Sequence, residues 1–402
     1  MSQSAGISPQ QAYAQAVQAN AQARATVLSY GVKRIQQIQS LAVNPASQNV
    51  LNIVPQNVGL IQGFIVEIDG NIAATTAAAI TRTEFGISNA LSNITFADLS
   101  NYQRHNTTGW HLQQVTSAKQ GFVWGGAYQP HTPEDWTAFN TSFTNTNAVT
   151  PNWNVRSAPL SIAGNANSNV REIYYVPLAY NSTDLRGAIY AAVTNATMNL
   201  QLTINPTPVV AAGDATGAIY SGAAGGWNGN VTVTVYQVYY DQLPTATQNG
   251  QTQVILPLMD LNNQYCLQQT ALTGMVVNQD FPYSYANFRS FLSTVAVLDQ
   301  AGTLNAGSDV NYVALTSANN TNIFKYTPQI MALQARQQFM SDPLKGVYYF
   351  DHRSAPINTN QFGNMNLNFN LNSVTAGASL LVGTEFFAQQ TQVSGAQSLA
   401  AS

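Results

Sequence analysis

The sequence predicts a mainly β protein, built from two β-sandwiches in series and preceded by a helical arm. From about Asn49 onward, short stretches rich in Val, Ile and Tyr alternate apolar with polar residues, and turns rich in Gly, Asn and Pro separate them. After Pro244 comes a polar linker, and then a new series of strands begins. The first forty residues lack this alternation and are rich in Ala and Gln, which favour helix.

The arm is predicted to be a helix over residues 8–42. Ser8 is a suitable N-cap, and Pro9 suits the first helical position. Apolar residues three or four apart continue past Gly31, and the pattern ends before Pro45. Because this apolar stripe is narrow, we expect the arm to become ordered on a partner.

Two short helices are predicted among the strands, one in each half. They are Ser182–Val193 and Thr327–Ser341, each with a Ser or Thr N-cap. In both halves a strand, a turn-rich stretch and a last strand follow, and the last strands begin at Val231 and Ser379. We interpret this common order as an architectural repeat, with one sandwich over residues 49–244 and the other over 245–392.

The last strand of the first half has an unusual outer face. Its valines alternate with threonines from Val231, but Tyr236, Val238 and Tyr240 make the opposite face apolar near the end. A strand that is apolar on both faces is covered on both sides. We therefore expect these three residues to pack against the second sandwich or a neighbouring subunit.

The low charge of the chain predicts extensive contact with other protein. Charged residues make up 8% of the sequence and hydrophobic residues 45%, whereas about a quarter of an average soluble protein is charged. Large interfaces disfavour unpaired buried charges, so this composition suits an assembling protein. The net charge of −3 does not favour specific nucleic-acid binding.

Three basic residues mark the N-terminal segment. Arg24, Lys33 and Arg34 are the only charged residues before Glu67. Such a weakly cationic segment on an acidic body could face an anionic partner, such as a lipid surface or a nucleic acid.

No motif predicts catalysis, a metal site or a cofactor. The histidines lack the spacing of metal ligands, and no nucleophile elbow or phosphate-binding loop is present. Asp299 and Asp309 flank a stretch that could bind Ca²⁺, but a turn is the simpler interpretation. Cys266 is the only cysteine, which excludes a disulfide framework. The four histidines, interpreted as structural, are His105, His111, His131 and His352.

The sequence also lacks targeting features. The start "MSQSAGISPQ" has no signal-peptide pattern, and no apolar run approaches the length of a membrane span. We expect a protein that stays in the cytoplasm or leaves it by lysis.

Several long stretches, in order, carry a resemblance to a known family. They are "NVGLIQGFIVEI", "YQRHNTTGWHLQQVTSAKQG", "YYVPLAYNSTDLRGAI", "VYQVYYDQLP" followed by "VILPLMDL", "YANFRSFLSTVAVLDQAGTLNAGSDVNY" and "KGVYYFDHRSAPINTNQFGN". Together they resemble the major capsid protein of tectiviruses, icosahedral bacteriophages with a membrane inside the protein shell. The chain departs from the family in "NNTNIFKYTPQ" and over Thr132 to Val155, which we expect to be surface loops.

This resemblance implies a fold and a function. It implies two consecutive eight-stranded jelly-roll barrels with an N-terminal helical arm (residues 1–48), one short helix per barrel and a flexible C-terminal tail (residues 393–402). It implies a homotrimer of pseudo-hexagonal outline that packs with neighbouring capsomers and with vertex and cementing proteins. The protein would be located in the capsid of the virion. The shell would enclose a membrane and DNA, and it would assemble in the bacterial host cytoplasm.

In that family the arm lies at the inner side of the capsid, so the resemblance places Arg24, Lys33 and Arg34 near lipid headgroups. The alternative is that these residues pair with neighbouring capsomers. A different function, a trimeric β-rich phage spike or a carbohydrate-binding adhesin, remains the alternative for the whole chain.

Overall fold

The structure, a computed structural model, describes residues 8–119, 156–191, 197–211, 216–248, 250–304, 309–317, 322–339, 346–359 and 363–389. The predicted surface loop at 132–155, His131 and the predicted tail at 393–402 lie outside the described residues.

The elements of the first half extend from the arm to the end of the first barrel. They are α1 (Pro9–Tyr30), β1 (Val32–Val43), β2 (Val50–Ile53), β3 (Leu60–Ala74), β4 (Ile80–Arg82), a 3₁₀ helix (Gly86–Ala90), β5 (Leu91–Ala97), β6 (Gln103–Thr107), α2 (Gly109–Lys119), β7 (Arg156–Ser157), β8 (Ser161–Ile162), β9 (Asn167–Pro177), β10 (Ile189–Tyr190), β11 (Asn199–Ile204), β12 (Val209–Val210), β13 (Tyr220–Ser221), β14 (Gly225–Trp227) and β15 (Val231–Asp241).

A hairpin and a single helical turn lead into the second half. These elements and those that follow are β16 (Thr245–Gln248), β17 (Gln251–Val254), α3 (Leu258–Leu261), β18 (Asn263–Leu272), β19 (Asp280–Ser284), β20 (Arg289–Asp299), β21 (Val310–Thr316), β22 (Asn322–Tyr326), α4 (Pro328–Phe339), β23 (Val347–Asp351), β24 (Ile357–Asn358), β25 (Asn366–Leu371) and β26 (Ser379–Gln389).

Each half forms a sandwich whose two faces each contain four paired strands in jelly-roll order. In the first barrel the sheets have the orders β1-β15-β3-β9 and β2-β11-β5-β6, and in the second β18-β26-β20-β23 and β19-β25-β21-β22. The strands therefore correspond one to one between the barrels, from β1 with β18 to β15 with β26. This confirms the predicted mainly β fold of two eight-stranded jelly rolls.

The two barrels share a hydrogen-bonded sheet. Strand β6 of the first barrel pairs in parallel with β18 of the second, with His105 opposite Leu267 and Asn106 opposite Gln268. A sheet of the first barrel thereby continues into a sheet of the second. Each barrel has an apolar core between its sheets, and the core of the first continues into residues of the second, among them Leu292, Val295 and Phe387.

The predicted helix over 8–42 is wrong beyond Tyr30. Residues Val32–Val43 form β1, which pairs antiparallel with β15 along its length. A register shift between Gln37 and Gln39 interrupts the alternation of faces, and this irregularity gave the sequence its false helical spacing. The segment predicted as the end of the arm is therefore the first strand of the first barrel.

The predicted helix Ser182–Val193 is also wrong in its described part. The Asn181 side chain accepts hydrogen bonds from the backbone N–H groups of Thr183 and Asp184, which closes a turn. Gly187 follows with a φ of +92°, and Ile189–Tyr190 then pairs with β3. Local side-chain bonding and this left-handed residue end any helix before it can form a second turn.

The helix of the first barrel is α2, in a segment where the sequence did not predict a helix. It follows β6, just as α4 follows β22, so both helices occupy the same place in their barrels. The predicted helix at Thr327–Ser341 is confirmed as α4 over Pro328–Phe339. The predicted helix of the first half is thus in the wrong place, whereas the final strands beginning at Val231 and Ser379 are confirmed.

Candidate assembly surfaces

A buried carboxylate joins the two barrels. Glu385 on β26 is fully buried and accepts hydrogen bonds from Tyr265 Oη at 2.6 Å and Ser293 Oγ at 2.7 Å. It also forms ion pairs with Lys119 Nζ at 2.9 Å and with Arg353 at 2.7 Å. Since Lys119 ends α2 of the first barrel, this network ties that helix to the second barrel.

The charges of this network stabilise one another. Burial alone would raise the pKa of Glu385, but Lys119, Arg353 and the hydroxyl donors outweigh it and lower the pKa to about 2. Burial lowers the pKa of Lys119, and Glu385 opposes that effect. Sequence reasoning missed these residues, although a lone acidic residue inside the apolar stretch "SLLVGTEFFA" was a usable signal.

His111 brings α2 close to the same strand. Its Nδ1 lies 2.6 Å from Thr107 Oγ1, and its ring is fully buried. A Cβ placed on Gly383 of β26 would lie 2.3 Å from this ring, so only glycine permits the contact. Burial lowers the pKa of His111 to about 4, which keeps the imidazole neutral.

Tyr265 and Leu267 of β18 fill a corner of the first barrel. Both are fully buried and belong to the first barrel's apolar core. Tyr265 Oη accepts a hydrogen bond from Lys119 Nζ at 2.7 Å, and its ring lies edge-on to His105 at 6.2 Å. The backbone N–H of Leu267 donates to His105 Nδ1 at 3.2 Å. The second barrel thus completes the first.

His105, His352 and the candidate Ca²⁺ ligands all make contacts within the fold. Burial lowers the pKa of His105 to about 3 and that of His352 to about 4. The Asp299 carboxylate accepts a hydrogen bond from Gly302 N at 2.6 Å, and Asp309 accepts one from Ser373 Oγ at 2.5 Å. In the described part of the chain, no three His, Cys, Asp or Glu side chains come together as metal ligands.

The outer face of β15 is covered in part by the arm. Tyr240 packs with Val27 of α1 and with Leu185 in a small apolar cluster, so its partner is a helix that sequence reasoning did not consider. Val238 is buried and Tyr236 half-buried. Contact of these two residues with another subunit stays a prediction.

Among the described residues, the contacts of helix α1 with the body come from its second half. Asn20 Nδ2 donates to Asp260 Oδ1 at 2.9 Å, Arg24 pairs with Asp260 at 3.1 Å, and Val27 is fully buried. The first turns are exposed, with Tyr13 at 66% and Val17 at 43%. None of the described helices combines the length and apolar composition that crossing a bilayer requires.

The three predicted basic residues do not form one surface. Arg24 lies on α1 and is bound to Asp260, whereas Lys33 and Arg34 lie on β1 and not on the arm. Arg34 pairs with Asp241 at 2.9 Å, at a position about half-exposed. Lys33 is exposed, and no described carboxylate pairs with it.

The comparisons with known proteins agree with this architecture. Residues 2–243 match the family model described as P3 major capsid protein N-terminal, and residues 262–401 match P3 major capsid protein C-terminal. This chain belongs to the P3 major capsid protein family. A relative in the P3 family, the major capsid protein P3 of Enterobacteria phage PRD1, is 37% identical over 385 residues, which are 94% of this chain and 93% of that protein.

Solved structures show that the fold of this P3-family chain is shared more widely. The STIV MCP has a TM-score of 0.62 at 11% identity, over 92% of this chain and 100% of that chain. The PBCV-1 virus capsid has a TM-score of 0.53 at 11% identity, over 89% of this chain and 94% of that chain. At such identities the likeness concerns the fold alone.

Proposed function

We propose that this chain is the major capsid protein of a membrane-containing icosahedral phage and that it forms the protein shell around the membrane and the DNA. The observation that carries the proposal is the match over nearly the whole chain to a phage major capsid protein. The double jelly roll supports it, because two fused barrels give a flat-sided building block with few exposed sheet edges. The low content of charged residues suits the large interfaces of a shell.

The building block we propose is a homotrimer. Two similar barrels in one chain present different free surfaces, and such surfaces associate head to tail. A head-to-tail arrangement closes into a ring when the rotation between chains allows it. A ring of three chains contains six barrels and would have a pseudo-hexagonal outline. Neighbouring trimers would then pack edge to edge, with vertex and cementing proteins at other sites, in the cytoplasm of a bacterial host.

The inner partner that we propose for α1 is the viral membrane. Its exposed first turns carry Tyr13 and Val17, which suit the interface between headgroups and acyl chains. Arg24 is the basic residue on this helix, and a basic residue near an anionic bilayer contributes about 1 kcal/mol. Because Arg24 already pairs with Asp260, we expect its contribution to be smaller than that.

Light scattering and electron microscopy test the function. We expect the purified protein to have the mass of a compact trimer and to be the most abundant protein of icosahedral particles. A stable monomer that binds glycans and forms no shells would instead support the spike or adhesin alternative.

Vesicle flotation tests the membrane partner. We expect binding to vesicles that contain anionic lipid, and weaker binding for a Tyr13→Ser, Val17→Ser variant. Val276→Ser is a suitable control, because it removes an exposed apolar side chain from the second barrel. Equal flotation of all three proteins would contradict the role of α1.

A further inference from the structure

The corner that Tyr265 and Leu267 fill in the first barrel has an open counterpart in the second. This corner lies between strand β22, strand β23 and helix α4, the counterparts of β6, β9 and α2. It contains a cavity of about 370 Å³. The cavity is lined mainly by Phe324, Tyr326, Gln334, Gln338, Asp351 and His352.

Matching register shifts in the two barrels align the residues of this corner. The pairing of β5 with β6 shifts register just after the Phe96–His105 pair, and that of β21 with β22 shifts just after the Leu315–Phe324 pair. Phe324 therefore holds the position of His105, the residue opposite Leu267 in the pairing between the barrels.

A second pair of register shifts aligns β1 with β18, the strand whose side chains fill the corner of the first barrel. The register of β15 with β3 shifts at Val238, and that of β26 with β20 shifts at Glu385. Val238 thus corresponds to Glu385. The strand neighbour of Glu385 on β18 is Leu267, and the strand neighbour of Val238 on β1 is Ile35.

The counterparts of Leu267 and Tyr265, the two residues that fill the corner of the first barrel, are exposed. Ile35 corresponds to Leu267 but is 59% exposed, whereas Leu267 is fully buried. By the same register, Lys33 corresponds to Tyr265. Strand β1 pairs with β15 alone, and β22 with β21 alone, among the strands that the structure describes. Both strands therefore present a free edge.

The outer face of α4 is also uncovered and apolar. Ile330 and Leu333 of α4 are 41% and 55% exposed, and Ile323 of β22 is 52% exposed. In the first barrel the corresponding helix α2 is almost entirely buried, between β5 and β9 of its own barrel and β20 of the second barrel. An exposed apolar patch of this kind next to a free strand edge is typical of an interaction site.

We infer that β1 of a second copy of this chain pairs in parallel with β22, with Ile35 opposite Phe324, and repeats between chains the β6–β18 junction that exists within each chain. Lys33 of that copy enters the cavity in the place of Tyr265. The stacked rings of Phe324 and Tyr326, 4.4 Å apart, offer a cation a π-face there. The inference rests on the proposed trimer, and it identifies the surfaces through which one chain of that trimer contacts the next.

Cross-linking tests the pairing directly. We expect a protein with Ile35→Cys and Phe324→Cys to form covalent dimers and trimers under mild oxidation, and each single-cysteine variant to form none. The native Cys266 is buried and its pKa is raised to about 12, so it stays unreactive. Covalent dimers and trimers from the double variant alone support the inference, and their absence in a protein that is trimeric by mass overturns it.

Trimer dissociation gives an independent measurement. Because Ile35 is exposed in one chain, Ile35→Asp should leave the monomer folded and raise the concentration for half-dissociation about tenfold or more. Leu160→Asp, at an apolar site 51% exposed and outside the inferred contact, should have no such effect.

The two proposals fail in different ways. A wild-type protein that is monomeric by light scattering contradicts the trimer itself. A wild-type trimer whose dissociation is unchanged by Ile35→Asp and by Lys33→Ala leaves the trimer standing and overturns the contact inferred here.

Discussion

Glu385 shows how one residue can hold two barrels together. It lies on the second barrel, and one of its two cationic partners, Lys119, lies on the first. Removing one partner of a buried ion pair is far more damaging than losing the pair as a whole, because a buried charge is left uncompensated.

We predict that Glu385→Gln lowers the free energy of unfolding by about 3–5 kcal/mol. Urea denaturation followed by tryptophan fluorescence would measure the change. Glu67→Gln is the matched control: Glu67 pairs with Arg171 at a partly exposed site, where a loss of at most about 1 kcal/mol is expected. Similar losses in both variants would contradict the role of the buried network.

The contact of His111 with Gly383 gives a steric prediction. Gly383→Ala places a methyl group against the imidazole, and overpacking of this kind costs about 1–3 kcal/mol. Gly226→Ala is the control, since no atom lies within 4 Å of the added Cβ. Adding His111→Ala should restore part of the loss, which a double-mutant cycle of unfolding free energies would reveal.

The buried histidines predict acid sensitivity. The pKa values of His105, His111 and His352 in the fold are about 3, 4 and 4, below the usual 6.5. As the pH falls below about 6.5, the unfolded chain binds protons that the folded chain refuses, so stability falls by up to about 1.4 kcal/mol per pH unit for each histidine. Above that pH the histidines no longer reduce the free energy of unfolding.

Melting temperatures between pH 7.5 and pH 4.5 would check this prediction. His111→Gln should make the decline shallower, because it removes one of the titrating groups. A melting temperature that stays constant over this range would contradict the assignment of these histidines as buried and neutral.

The elements show where sequence reasoning worked and where it failed. Strands with regular alternation, such as β9 and β15, were predictable because one face of each is buried in a core. Strand β1 was not, since the irregularity at Gln37–Gln39 mimics a helical period. Helix α2 was missed because both of its faces are buried, one by each barrel, so it shows no apolar stripe.

The candidate site was less predictable than the fold. The apolar outer face of β15 was recognised, yet its cover at Tyr240 proved to be α1. The ion pairs of Glu385 bring together residues far apart in the chain, and no local sequence pattern predicts such contacts.

The boundary between α1 and β1 predicts two different truncation phenotypes. Of the described residues, deleting residues 1–19 removes only the exposed first turns of α1, and it should leave a folded trimer that fails to assemble on membranes. Deleting residues 1–43 also removes a barrel strand and should prevent folding. Circular dichroism and light scattering would distinguish the two, and normal particles from the shorter deletion would disprove the role of the arm.

At the scale of the whole molecule, the two barrels should unfold together. The family models divide the chain into two parts, but Tyr265 and Leu267 of the second part belong to the core of the first. We predict one calorimetric transition whose van't Hoff and calorimetric enthalpies agree. Two resolved transitions, or a stable isolated fragment 1–243, would show that the barrels are independent.

The pairing of β6 with β18 also has a mechanical consequence. Because backbone hydrogen bonds restrain the angle between the barrels, we expect one chain to behave as a stiff plate. A closed icosahedral surface must nevertheless bend where its facets meet. In a shell made of such plates, that bending is confined to the contacts between capsomers. The chain segments at those contacts must therefore adopt different conformations at different places in the shell.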